Sequence, residues 1–160
     1  MRLLLVLPTL LLAVLSVSSQ VRVSHLLTEN LPDPIGIDSR QPRLSWQLSA
    51  PDRNELQSAY EVQVSDRPDG GALWNSGKVP SDQSLFVPYD GPAVQPDRKY
   101  FWRVRVWDNK GRGSEWSKTA SWQMGLLAPA DWKAQWIRAA KEDPSQPSPL
   151  FRTTFTAKSG

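Results

Sequence analysis

Val94-Gln95-Pro96-Asp97-Arg98-Lys99-Tyr100-Phe101-Trp102-Arg103-Val104-Arg105-Val106-Trp107 is the stretch whose reading decides the fold. From Tyr100 onward the side chains alternate strictly, the period of two expected of a β-strand with two different faces. Tyr100, Trp102, Val104 and Val106 point one way and are expected to line a core. Phe101, Arg103, Arg105 and Trp107 point the other way, as an aromatic and cationic stripe. Upstream, Val94-x-Pro96-x-x-x-Tyr100 has the spacing of a tyrosine corner, in which a buried Tyr hydroxyl bonds back to main chain a few residues earlier. Tyr100 is therefore expected to be a structural residue.

The segments before and after this strand carry the same period. Val21 to Leu27 reads as a first, edge strand, and Asn30 to Pro42 as an irregular crossing punctuated by Pro and Gly. Arg43 to Ser49 alternates, sending Leu44, Trp46 and Leu48 inward. After a turn at Pro51-Asp52-Arg53-Asn54, Ser58 to Ser65 would bury Tyr60, Val62 and Val64. Leu73 to Val79 and Ser84 to Val87 read as shorter strands ended by Pro. Asp108-Asn109-Lys110-Gly111 turns the chain, and Ser114 to Met124 returns as the last strand. Seven strands over roughly 105 residues, with turn signals between them, predict an all-β, seven-stranded immunoglobulin-like sandwich. The Cys-Trp-Cys spacing of antibody domains is absent, so the fibronectin type III variety fits better.

Composition narrows the class further. Lys and Arg outnumber Asp and Glu by 19 to 16, but no basic run exceeds two residues, which gives nucleic-acid binding little support. With no cysteine there is no disulfide framework and no thiol chemistry; the sandwich must hold by packing. Met1-Arg2, the apolar run Leu3 to Val17 and the small residues Ser16 to Ser19 form a secretory signal pattern, expected to be cleaved after Ser19. The run is shorter than the roughly 20 residues a spanning helix needs, and Pro8 interrupts it. The mature chain is thus expected to be secreted, extracellular or periplasmic, without a membrane anchor. Residues 20–126 would form the sandwich. Residues 127–160 would be a linker, a Pro/Ser-rich loop over Lys141 to Pro149, and a first strand, Leu150 to Thr156, of a truncated second β-sandwich domain.

Chemistry-bearing patterns are sparse. Asp52, Asp66 and Asp69 fall in turns and Glu61 on an outward strand position, so all four read as solvated. None has the apolar surroundings that raise a carboxyl pKa for acid catalysis. His25 is the single histidine and lacks companions for zinc, and no phosphate loop or nucleophile elbow occurs. No catalytic, metal-binding or cofactor-binding residue is expected. Ser114-Glu115-Trp116-Ser117 resembles half of the WSxWS box of cytokine-receptor fibronectin modules, where a Trp stacks between Arg side chains. Arg103 and Arg105 are spaced to sandwich Trp116, with Trp107 extending the ladder. The competing reading is a sugar platform on Phe101, Trp107 or Trp116; Phe101 and Trp107 are the candidate glycan or protein contacts.

The ordered series Pro34-Ile35-Gly36-Ile37-Asp38, Gln41-Pro42-Arg43-Leu44-Ser45-Trp46, Ala59-Tyr60-Glu61-Val62-Gln63-Val64 and Leu73 to Val79 resembles the start of bacterial α-L-rhamnosidases of glycoside hydrolase family 78. The resemblance continues through Tyr100 to Trp107, Trp132-Lys133-Ala134-Gln135-Trp136-Ile137 and Leu150 to Phe155. It implies an N-terminal fibronectin-like domain, followed in the family by a second β-sandwich and a catalytic (α/α)₆ barrel. The implied parent reaction is the inverting hydrolysis of terminal α-L-rhamnose. This sequence stops before such a barrel, so no catalytic residue carries over. The expected role is that of a non-catalytic module giving structural support to adjacent domains of a glycoside hydrolase, with presentation of rhamnose-containing glycans as an added role. A free-standing glycan- or protein-binding module is the alternative, and a complete small hydrolase the weakest reading.

Overall fold

A computed structural model describes residues 21–137 and 150–156. The segment read as a signal peptide and the Pro/Ser-rich loop lie outside the described residues. Among the described residues nine strands form, in the order β1 (Arg22–Thr28), β2 (Ile35–Ile37), β3 (Arg43–Ser49), β4 (Gln57–Ser65), β5 (Trp74–Asn75), β6 (Val79–Pro80), β7 (Val87–Pro88), β8 (Lys99–Asp108) and β9 (Ala120–Met124). One sheet has the order β1-β3-β7; the other runs β2-β9-β8-β4-β5, with β6 also paired to β4. All pairings are antiparallel except β2 with β9. Among the described residues no α-helix occurs, and Pro129–Asp131 is a single 3₁₀ turn.

The expected alternation of β8 holds along its length. Tyr100, Trp102, Val104 and Val106 are buried, while Phe101, Arg105 and Trp107 are half-buried and Arg103 is exposed. The buried set packs with Val62, Val64, Trp122 and Met124 from its own sheet against Leu44, Trp46 and Val87 from the other. Tyr100 stacks on Trp122 at 5.2 Å, and Tyr89 meets the edge of the same indole at 5.7 Å. The Tyr100 hydroxyl accepts a hydrogen bond from Gln95 N–H at 2.9 Å, which pins the loop entering β8 to the core. On the other sheet the buried Trp46 donates its indole N–H to Gln57 Oε1 at 2.9 Å. The Gln57 amide in turn donates to Ser81 and Gln83 carbonyls, tying the β6–β7 loop across the open side of the sandwich. This buried glutamine carried no signal in the sequence beyond its place at the head of a strand.

Several expected elements differ, each for a local reason. Leu73 to Val79 does not run as one strand. Asn75 Oδ1 accepts from Gly77 N–H at 2.7 Å and Ser76 Oγ from Val62 N–H at 2.9 Å, while Gly77 takes φ +63°, so the ladder breaks into β5 and β6. Only Val87–Pro88 of the next segment pairs, because Phe86 sits at φ +53° with its N–H on Ser45 Oγ. The crossing from Asn30 to Pro42 contains β2, which the Pro and Gly signals concealed. Leu150 to Thr156 forms no strand and is exposed throughout: a strand exists only as part of a ladder, and among the described residues nothing pairs with it.

Replacing Tyr100 by Phe keeps the stacked ring but leaves Gln95 N–H without its acceptor. Urea denaturation should show a loss of about 0.5–1.5 kcal/mol, the usual net worth of one partly buried hydrogen bond, with the m-value unchanged.

Candidate functional site

On the outer face of the larger sheet, β4 and β8 pair with Ala59 opposite Trp107, Glu61 opposite Arg105 and Gln63 opposite Arg103. This register gives each guanidinium an acceptor across the ladder. Arg105 donates to Glu61 Oε2 from Nε at 2.8 Å and from Nη2 at 2.6 Å. Arg103 donates from Nε and Nη2 to Gln63 Oε1 at 3.1 and 2.8 Å. The second Glu61 oxygen accepts from Asn75 Nδ2 at 2.9 Å. Held in this way, the flat cations become surfaces on which indoles rest.

Arg105 lies 5.0 Å from the Trp107 ring and 4.8 Å from Trp116, Arg103 lies 4.7 Å from Trp116, and Lys78 lies 4.4 Å from Trp107. The ladder therefore runs Lys78, Trp107, Arg105, Trp116, Arg103. Trp116 reaches it from a segment that is not the expected strand, since β9 begins only at Ala120. Ser114 exchanges hydrogen bonds with Val106, its N–H to the Val106 carbonyl at 2.8 Å and its Oγ accepting from Val106 N–H at 3.0 Å. Ser117 does the same with Val104 at 2.9 and 3.0 Å. Three residues of this segment thus span two of β8, which a pleated strand in register cannot do. Serine hydroxyls replace the missing carbonyls, and the strand pattern read from Ser114 onward fails for that reason.

Each indole of the ladder is contacted by two cations, Trp107 by Lys78 and Arg105 and Trp116 by Arg103 and Arg105. Phe101 differs: a single cation, Lys99, approaches its ring, at 5.4 Å. It borders a cleft of about 620 Å³ whose wall also includes Gln63, Arg103 and Asp69. Trp46, Trp102 and Tyr100 are interior, each 2% exposed or less.

Asp52 and Asp69 are exposed, as expected of solvated turns, while Glu61 and Asp66 depart from that expectation. Glu61 does point to the outer face, but it is only 6% exposed because Arg105 and Asn75 cover it. Asp66 is bound by Arg98 at 2.5 Å. Two further carboxylates not singled out by their sequence pattern, Glu55 and Asp108, have buried side chains and share Arg112, with Lys110 Nζ also 3.2 Å from Glu55. Burial alone would raise the Asp108 carboxyl; the Arg112 amide and guanidinium and the Lys110 amide outweigh it and hold the pKa below the ordinary range. Glu55 follows the same logic, with burial opposed and exceeded by Arg112 and Lys110. Both are kept ionised, unlike a general acid. Among the described residues no three His, Asp or Glu side chains gather to hold a metal ion.

A two-sheet core, a tyrosine corner and an arginine–tryptophan ladder define an immunoglobulin-like sandwich of the fibronectin type III kind. The chain belongs to the family of Rha78A-like, N-terminal immunoglobulin domains, whose family model matches residues 23–128. It is 44% identical over 124 residues to an α-L-rhamnosidase of Streptomyces avermitilis, covering 76% of this chain and 12% of that protein. The crystal structure of Streptomyces avermitilis α-L-rhamnosidase complexed with L-rhamnose superposes with a TM-score of 0.72 at 43% identity, over 75% of this chain and 12% of that one. The α-L-rhamnosidase of Dictyoglumus thermophilum gives a TM-score of 0.68 at 36% identity, over 72% and 14%. The chain thus matches the N-terminal region of proteins of which it spans only about an eighth.

Arg105→Ala should destabilise the fold by on the order of 3 kcal/mol, because it strands the buried Glu61 charge as well as removing two ring contacts. Arg103→Ala, whose acceptor is a neutral amide and whose position is exposed, should cost about 1 kcal/mol. Chemical denaturation of the two variants checks the order. Glu55 and Asp108, with folded pKa values below their unfolded ones, contribute stability that is complete above the ordinary carboxylate range of about 4 and is lost as pH falls through the folded values. The midpoint of thermal unfolding should therefore drop on acidification below about pH 4–5, and Asp108→Asn should flatten that dependence.

Proposed function

We propose that this chain is the non-catalytic N-terminal module of a secreted α-L-rhamnosidase, and that it supports the domains that follow it. The observation that carries this reading is the contrast between a finished sandwich and an unfinished C-terminal segment. Both sheets bury their inner faces, and the outer face of β4 and β8 is covered by its own ladder. Beyond it, Trp136 is 93%, Leu150 98% and Phe155 87% exposed, with Trp132, Ile137 and Phe151 exposed as well. So many large apolar groups in a short segment need a partner surface, and about thirty residues are too few to bury them in a core of their own. The period-two pattern of Leu150 to Thr156 suits a first strand completed by the sheet of a second domain. Residues 20–126 would then be the sandwich and 127–160 the connection, with residues 1–19 directing export. The parent reaction would be hydrolysis of terminal α-L-rhamnose, carried out by residues outside this chain. A free-standing binding module working through Trp107 is less well supported, because that ring already carries two cations.

A chimera tests the proposal. This chain is grafted in place of the matching region of the Streptomyces avermitilis α-L-rhamnosidase, and a second variant deletes the region. The graft should yield soluble enzyme that cleaves an aryl α-L-rhamnoside within a few-fold of the parent. The deletion should lower the melting temperature by several degrees or abolish soluble expression, and Trp136→Ser with Phe155→Ser in the graft should shift it the same way. Unchanged stability and turnover on deletion would contradict the supporting role, as would release of rhamnose by this chain alone.

A further inference from the structure

The cleft beside Phe101 has a chemistry that packing against another domain does not require. Its floor is the end of the β4–β8 pair, where Ser65 stands opposite Phe101 and Gln63 opposite Arg103, and its far wall is the turn carrying Asp69 and Gly71. Its volume, about 620 Å³, falls in the range of small-molecule sites. Phe101 is half-buried and, unlike the two ladder indoles, is approached by one cation only. Arg103 uses Nε and Nη2 on Gln63 Oε1, which leaves Arg103 Nη1 and Gln63 Nε2 without a hydrogen-bond partner among the described residues. No carboxylate pairs with Arg103 among the described residues, and Asp69 is one of the residues that line the cleft. At Gly71 a Cβ would meet nothing within 4 Å, so the turn leaves the mouth open.

We propose that this cleft binds a neutral pyranose ring of a glycan. A pyranose presents one face of C–H groups, which packs on an aromatic ring, and a rim of hydroxyls that both donate and accept. The cleft offers that combination: a Phe101 face, two donors held by each other across the strand pair, and the Asp69 carboxylate. The cleft wall itself holds one cation, Arg103, and one carboxylate, Asp69, with Lys99 outside that wall, and this pairing favours an uncharged sugar over an acidic one. The site lies beside the ladder, whose part is to hold Arg103 in place from its other side through Trp116. It goes beyond the supporting role and does not depend on it.

Titration of the ¹⁵N-labelled whole chain with methyl α-L-rhamnopyranoside, methyl β-D-galactopyranoside and D-glucuronate tests the site by amide chemical shifts. A neutral glycoside should move the signals of Gly70, Gly71, Phe101 and Arg103 in a saturable way, with a dissociation constant in the millimolar range. Phe101→Ala should weaken this at least tenfold. Gly71→Trp, which fills the mouth at a position with open space, should abolish it while leaving the dispersion of the spectrum intact. Absence of any saturable shift, a response to glucuronate alone, or a response that survives Gly71→Trp would each overturn the assignment.

Discussion

The antiparallel register of β4 against β8 is the constraint on which the rest of this molecule depends. With Val62 opposite Val104 and Val64 opposite Trp102, both strands deliver their apolar set to the same interior face. The same register sets Glu61 against Arg105 and Gln63 against Arg103 on the other side. A slip of one residue would exchange the faces of one strand, placing guanidiniums in the core and Trp102 in water. Core and ladder are therefore two consequences of one pairing, and each penalises errors in the other.

From that pair outward, side-chain hydrogen bonds take over wherever main-chain pairing stops. Tyr100 anchors the loop before β8, Gln57 anchors the loop after β6, and Ser114 and Ser117 carry the chain along the flank of β8 until β9 can begin. Asp108 and Glu55, joined through Arg112, close the opposite end. Each of these groups satisfies main-chain or charged partners that short strands would otherwise leave without acceptors or donors. A chain without disulfides, with several two-residue strands, depends on such joints more than a long regular sheet would.

The surface divides by how completely it is partnered. Trp107 and Trp116 are each contacted by two cations, whereas Phe101 is approached by one and lines a cleft with polar walls. Trp132, Trp136, Ile137, Leu150, Phe151 and Phe155 are large apolar groups left exposed among the described residues. By family the chain matches the N-terminal immunoglobulin domain of α-L-rhamnosidases, of whose length it spans about an eighth.

Strict alternation made β3, β4 and β8 legible in the sequence, because a period of two in large side chains can be satisfied only by a sheet with one buried face. The tyrosine corner and the pairing of Arg103 and Arg105 with Trp116 were legible for a similar reason: the partners lie at fixed short offsets. Tertiary structure alone decided the break between β5 and β6, the position of Phe86 at positive φ, the burial of Glu61 and the union of Glu55 with Asp108. These depend on atoms brought together from remote parts of the chain, or on one hydrogen bond that outcompetes a ladder. Local pattern reports which face a residue occupies; what covers that face is settled by distant neighbours.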